Sequence, residues 1–247
     1  MSADLTGKLV VVSSMGTQVG VGIAGGLAAA GAQVILADRA TPAAELPEEI
    51  GFEVLDGAEP ASWTRLGRTL EGRRVDGYVH CGRFDHHVGI DDVQLDDWNN
   101  VIAVNLTAVV LGLQTLVPLM PPGSSIVNIG SATAFTAFPS VSDTATAWAL
   151  RGLTHAADLE LADLGIRINA LHCGFFAEDL SEAPSDFEAI AIRSTTRGRL
   201  AEHRDVASFT AFLLSDDSQF MTSGDIRLDG GATPHAGSRM AKAGMTE

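Results

Sequence analysis

The chain has 247 residues, 46% of them hydrophobic, enough for one substantial core and for a single domain of ordinary α/β size. Its 16 basic and 31 acidic residues give a net charge of −15, which repels nucleic acid and anionic membrane surfaces. Cys81 and Cys173 are too few and too far apart for a disulfide framework or a cysteine-based zinc site, so reduced thiols and a cytoplasmic location are expected.

No basic segment leading into an apolar core opens the sequence, and no apolar run approaches the roughly 18 residues of a membrane span. No linker-like stretch or internal repeat divides it, so one domain is expected over residues 1–247. Lys8 to Ser13 is a short β-branched run that reads as the first strand. After a turn of small residues, Val19, Ile23 and Leu27 recur at helical spacing until Gly31. Gln33 to Ala37, Phe52 to Leu55 and Val75 to Cys81 read as the next three strands. Each is too apolar to leave one face in water, as strands covered by helices on both sides are.

Asp96 to Met120 reads as a long amphipathic helix carrying Val101, Val104, Val109, Leu113 and Leu116, with Pro118 breaking the pattern near its end. The sequon-like Asn105-Leu106-Thr107 lies inside that pattern and reads as a chance match. Ser125 to Ile129 is the fifth strand, Ala145 to Leu164 a second long helix, and Ile166 to Leu171 the sixth strand. Arg204 to Leu214 is helical, Ile226 to Leu228 a short last strand, and 232–247 reads as a mobile tail. The alternation requires parallel strands joined by right-handed crossovers, that is, a Rossmann-like doubly wound parallel sheet of about seven strands with helices on both faces. Ligands of such sheets bind beyond the carboxyl ends of the strands, so the residues there are the candidates.

Ordered fragments along the chain carry a resemblance: KLVVVSSMGTQVG, LADR, LD at 55–56, DGYVHCG, VNLTA, SIVNIGS, GIRINALHCG and FLLSDDSQFMTSGDIRLDGG. In order and spacing they resemble the short-chain dehydrogenase/reductase family from Lys8 to Gly231. The resemblance implies a nicotinamide-dependent oxidoreductase with NAD as cofactor, a small-molecule substrate, and a homo-oligomer, dimer or tetramer, packed through the two long helices. Ala145, Ala147, Ala149 and Gly152 are small enough for close helix approach.

The family's phosphate loop, T-G-x-x-x-G-x-G, falls on Ser13 to Gly20. Gly20 keeps its place, but Ser14 and Gln18 replace the other two glycines, and Gly16 offers one a step away. The lost glycines make the tight turn and admit the pyrophosphate. Asp38 stands where a carboxylate meets the adenosine ribose and repels a 2′-phosphate, which favours NAD, with Arg39 beside it. Asp56 matches an adenine-contacting Asp.

Of the family's catalytic Asn, Ser, Tyr and Lys, Asn105 and Ser131 match the first two. Thirteen residues after Ser131 the tyrosine position is Thr144, and the lysine position four further on is Trp148. A threonine hydroxyl is far too weak an acid to protonate a reduced carbonyl, and indole supplies no usable proton. The chain's single tyrosine, Tyr78, lies inside a strand. Histidines at the expected strand ends are candidate replacements: His80 and His172 for acid–base work beside Ser131, with His86 and His87 in the loop bordering the substrate. A metal site using Asp85 fits no ligand motif, and a Ser131 hydrolytic triad lacks G-x-S-x-G. Phe175, Phe176 and residues 177–193 match the family's substrate lid and point to an apolar substrate. Two readings follow: an NAD-dependent enzyme using Ser131 and a histidine, or a non-redox protein on the same scaffold. The second covers a lyase, isomerase or dehydratase and a catalytically silent subunit.

Overall fold

A computed structural model describes residues 3–16, 18–42, 45–84, 88–176 and 185–244. The elements in chain order are β1 (Leu9–Ser13), α1 (Gln18–Ala29), β2 (Gln33–Asp38), β3 (Ile50–Val54), α2 (Pro60–Thr69), β4 (Gly77–His80), α3 (Leu95–Ile102), α4 (Ala108–Leu116), β5 (Ser125–Ser131), α5 (Val141–Leu161), β6 (Arg167–Cys173), α6 (Ser185–Ser194), α7 (His203–Leu214), β7 (Asp225–Leu228) and α8 (Ala232–Gly244). The seven strands form one parallel sheet in the order β3-β2-β1-β4-β5-β6-β7. The order reverses between β1 and β4, and in an open α/β sheet that point of reversal is where a crevice opens.

The two-residue period of the strands builds two cores. Val10 and Val12 of β1 join Val34, Leu36, Val79, Val127 and Leu171 on one face, packed against Ile23 and Leu27 of α1 and Val206 and Leu213 of α7. Leu9 and Val11 join Ile35, Tyr78, Ile126 and Ile168 on the other face, with Trp63 and Leu66 of α2, Leu116 of α4 and Leu161 of α5. Strands buried on both faces are what the continuous apolar runs required.

The long helix expected over 96–120 runs from Leu95 to Leu119 but not as one regular spiral. Ala103–Thr107 forms a π turn between α3 and α4, and Val117–Leu119 tightens to a 3₁₀ turn at Pro118. By length and composition this helix could cross a membrane, which corrects the reading of uninterrupted apolar runs: Asn100, Asn105, Thr107 and Gln114 break the run without lowering the average much. Its most apolar window is only a third buried. Of the segment read as a mobile tail, Ala232–Gly244 is helical, as α8. Asp229 accepts the Gly231 and Thr233 amides, and Pro234 falls in the first helical turn, where its missing N–H leaves no bond unmade.

Helix α1 approaches α7 through two glycines. A Cβ on Gly26 would lie 2.4 Å from Ala207 Cβ, and one on Gly22 would lie 2.5 Å from His203 Cβ. Gly25, between them, faces open space. Gly26→Val is expected to destabilise the fold by about 1–3 kcal/mol through overpacking, and Gly25→Ala to stabilise it by about 0.5–1 kcal/mol through helix propensity. Urea unfolding of both variants checks the pair, and equal effects would contradict the helix contact.

Candidate active site

The first turn is built around the surviving glycine. Ser14 is fully buried and donates its amide to Ala37 O at 2.8 Å. A Cβ on Gly20 would sit 2.3 Å from Ser14 Oγ, so the serine fits only because residue 20 has no side chain. Gly16 adopts φ +83°, a left-handed conformation that favours glycine, and donates its amide to Asp38 Oδ1 at 2.7 Å. The Arg39 amide reaches the same oxygen at 2.6 Å. Asp38 is thus a buried carboxylate bracing the turn, 3% exposed. Gln18 opens α1 at the surface. Asp56 accepts the Ala58 amide at the approach to α2 and pairs with Arg39 at 3.2 Å, both side chains being 43% exposed.

Asn105 and Ser131 come together. Asn105 sits in the π turn, where its carboxamide takes the Phe84 amide at 2.8 Å and donates to Phe84 O and Thr146 Oγ1, each at 3.2 Å. Ser131 ends β5, and its hydroxyl accepts the Thr133 amide at 3.2 Å. Between them lies a cavity of about 20 Å³, room for one water. Arg83, Asp143 and Thr146 also line it. Asp143 is a residue that the reading of the sequence missed. It is 3% exposed and accepts the Ser140 hydroxyl at 2.5 Å. The available signal was an acid in the first turn of a helix, next to the position of the missing phenol.

Thr144 and Trp148 do not line that cavity. Thr144 Oγ1 donates to Phe138 O at 3.0 Å and accepts the Phe138 amide at 3.1 Å, which ties down the loop before α5. Trp148 is 50% exposed, with the Arg151 guanidinium 5.4 Å from its ring centre. Phe138 meets Phe175 and Phe187 of α6 in a three-ring cluster with centroids 5.5–6.4 Å apart.

His80 and His172 do not face the crevice, which corrects the expectation that they replace the lost acid. Both belong to strands rather than to the loops beyond them, so their rings enter the layer between sheet and helices. His80 is paired in register with Ser13 and Asn128, and its Nδ1 lies 3.2 Å from Ser13 Oγ, which also contacts the Tyr78 hydroxyl at 3.0 Å. Burial pushes the His80 imidazole down to about 4, with a smaller opposing effect from the Gly82 backbone. His172 is fully buried against Gly130, with Nε2 3.2 Å from Asp225 Oδ1. Burial lowers its pKa too, against the pull of Asp225. Asp225 also takes Arg151 Nε at 3.0 Å and His155 Nε2 at 2.9 Å. Burial pushes its carboxyl up, but the bonds from His155, Arg151 and His172 outweigh this and hold it below the usual range. That cluster clamps α5 to β6 and β7. Burial raises the Cys81 thiol to about 12, which leaves it unreactive. Asp85, His86, His87 and the lid residues 177–184 lie outside the described residues.

Comparison with known proteins agrees with this architecture. The family model described as enoyl-(acyl carrier protein) reductase matches residues 13–233. A 3-alpha-(or 20-beta)-hydroxysteroid dehydrogenase of Mycobacterium bovis is 33% identical over 248 residues, covering 94% of this chain and 91% of that protein. The chain belongs to the short-chain dehydrogenase/reductase family. A trans-4-hydroxycyclohexanecarboxylate dehydrogenase of Sinomonas cyclohexanicum is 31% identical, covering 92% of this chain and 93% of the relative. Among solved structures, a short-chain dehydrogenase of Leptospira borgpetersenii with bound NAD+ superposes with a TM-score of 0.85 at 22% identity, over 93% of this chain and 94% of that one.

Short-chain dehydrogenase/reductases generally bind NAD(P), and the loop that would hold the dinucleotide is furnished here with other residues. Only one of the three loop glycines is in place, and Ser14 fills the space beside it. Asp38 already holds two backbone amides, and the Met15 side chain lies across the crevice between Gly57 and Gly82.

The buried histidines make a measurable prediction. The unfolded chain protonates His80 near pH 6.5, whereas the folded protein does so only near 4. The folded state therefore binds fewer protons in that window, and stability falls as pH drops through it, by up to about 3 kcal/mol. His80→Asn is expected to flatten urea-unfolding free energies between pH 7 and 4.5. A variant profile parallel to the parent would refute the assignment.

Proposed function

We propose that this short-chain dehydrogenase/reductase does not transfer hydride by the family's phenol–ammonium route and serves as a catalytically silent subunit of an oligomer. One observation carries the reading: among the described residues, no phenol, ammonium or imidazole lines the Asn105–Ser131 cavity. Thr144 is bonded on both sides to the Phe138 backbone, Trp148 is turned to the surface, and His80 and His172 are sealed in the core. Asp143 does line the cavity, but its carboxylate is engaged by the Ser140 hydroxyl.

The apolar surface supports assembly. Along the helix from Leu95 to Leu119 and on α5, the apolar residues Leu95, Val110, Trp148 and Leu159 are exposed. Such a surface calls for a second chain, either a copy or an active relative. The two buried free cysteines and the acidic surface fit the cytoplasm, with no nucleic-acid or membrane partner.

The alternative is NAD-dependent oxidation or reduction of a small apolar alcohol or ketone. It is favoured by Asp38, Asn105 and Ser131, by the three-phenylalanine cluster, and by relatives named as dehydrogenases of cyclic alcohols. Titration calorimetry with NADH, run beside light scattering, separates the readings. We expect no binding at millimolar NADH and a dimer or tetramer in solution. Micromolar binding, or a monodisperse monomer, would sink the proposal. Thr144→Tyr combined with Trp148→Lys is expected to leave cyclohexanone unreduced; appearance of reductase activity would mean that only the acid–base pair is missing.

A further inference from the structure

We infer that Met15 is a built-in occupant of the nucleoside end of the crevice, closing it to adenosine-containing ligands. The inference concerns one side chain and rests on the proposed reading only in that both expect no cofactor binding to the parent protein.

The crevice opens where strand order reverses, between β1 and β4, and Met15 lies in the turn that leaves β1. Its side chain spans two other strand-end loops. A Cβ on Gly82, two residues beyond β4, would lie 2.5 Å from Met15 Cγ. One on Gly57, beyond β3, would lie 2.2 Å from Met15 Cε and 3.2 Å from Sδ. Atoms cannot approach so closely, so a methyl group at either position forces Met15 to move: its flexible end at Gly57, the middle of its side chain at Gly82.

Neither glycine is demanded by the backbone, since Gly57 and Gly82 are both absent from the residues with positive φ. Their missing side chains serve space, and the group that uses the space is the Met15 thioether. Met is unbranched and adaptable, which suits it to a narrow slot.

The polar groups around the slot are engaged as well. A nucleoside there would present its ribose diol to Asp38, whose Oδ1 already accepts the Gly16 and Arg39 amides. Arg39 and Asp56 close over the rim as an ion pair. An adenosine ligand must therefore displace the methionine and part the pair. The loop substitutions Ser14 and Gln18 act on the pyrophosphate, whereas Met15 acts on the nucleoside.

The test is calorimetric titration with ADP-ribose, which carries the nucleoside and diphosphate but no nicotinamide, on the full chain and on Met15→Ala and Met15→Leu. We expect no binding to the parent or to Met15→Leu at millimolar ligand, and affinity raised at least about tenfold in Met15→Ala. Parent and Met15→Ala binding equally well would overturn the inference. Met15→Ala remaining as silent as the parent would also overturn it, while leaving the non-catalytic reading intact. Ketone reduction by the parent would remove that reading without touching a gain in ADP-ribose affinity.

A ligand-free measurement guards against misfolding of the variant. Gly82→Ala is expected to shift the urea midpoint strongly downward in the parent and much less in a Met15→Ala background. Equal shifts in the two backgrounds would show that Met15 does not fill the slot.

Discussion

The structure depends on the parallel pairing of β1 with β2 on one side and β4 on the other. That pairing reverses the strand order and brings the ends of β1, β2 and β4 to one rim, with β3 beside β2. The candidate nucleotide-site residues are placed by it. Ser14, Met15 and Gly16 leave β1, Asp38 ends β2, Asp56 and Gly57 follow β3, and Gly82 follows β4. In this chain the rim is furnished differently from an open nucleotide site. Side chains and loop amides of the protein itself occupy it.

The layer between the sheet and helices α2, α4 and α5 contains several bonded polar groups. Ser13, Tyr78, His80 and Asn128 lie on one face of neighbouring strands, and Asn128 donates to Thr154 of α5 at 3.0 Å. Farther along, Asp225 gathers Arg151, His155 and His172. Buried polar groups persist when they are bonded, and here the bonds tie strands to the helix that covers them. Histidines that look catalytic in a linear reading are therefore part of the scaffold.

The substitutions at the old catalytic positions follow the same logic. A phenol and an ammonium have to reach into a crevice, but a threonine is short enough to bond the neighbouring loop instead. Thr144 secures Phe138, and Phe138 packs with Phe175 and Phe187 over the same end of the sheet. The cavity that remains between Asn105 and Ser131, about 20 Å³, has room for one water.

Strand and helix periodicity was enough to read the doubly wound sheet and most of its elements, because burial on both faces of a parallel sheet writes itself as unbroken apolar runs. The ordered fragments likewise located Ser14, Asp38, Asn105, Ser131, Thr144 and Trp148. Helix α2 escaped notice because its ten residues begin at Pro60 and are polar on average, and α8 because its glycines and proline resemble a loop. The side on which a side chain lies was not legible. His172 enters the core because β6 runs two residues farther than its apolar run suggests, and His80 because the last residue of β4 turns its ring to the helix-covered face; alternate residues of a strand face opposite sides. The contact of Met15 with Gly57 and Gly82, and the arrival of Asp143 beside Ser131, join segments tens of residues apart. Composition and spacing along a chain carry local preferences, whereas which atoms fill a given space is settled only when distant loops meet at the edge of the sheet.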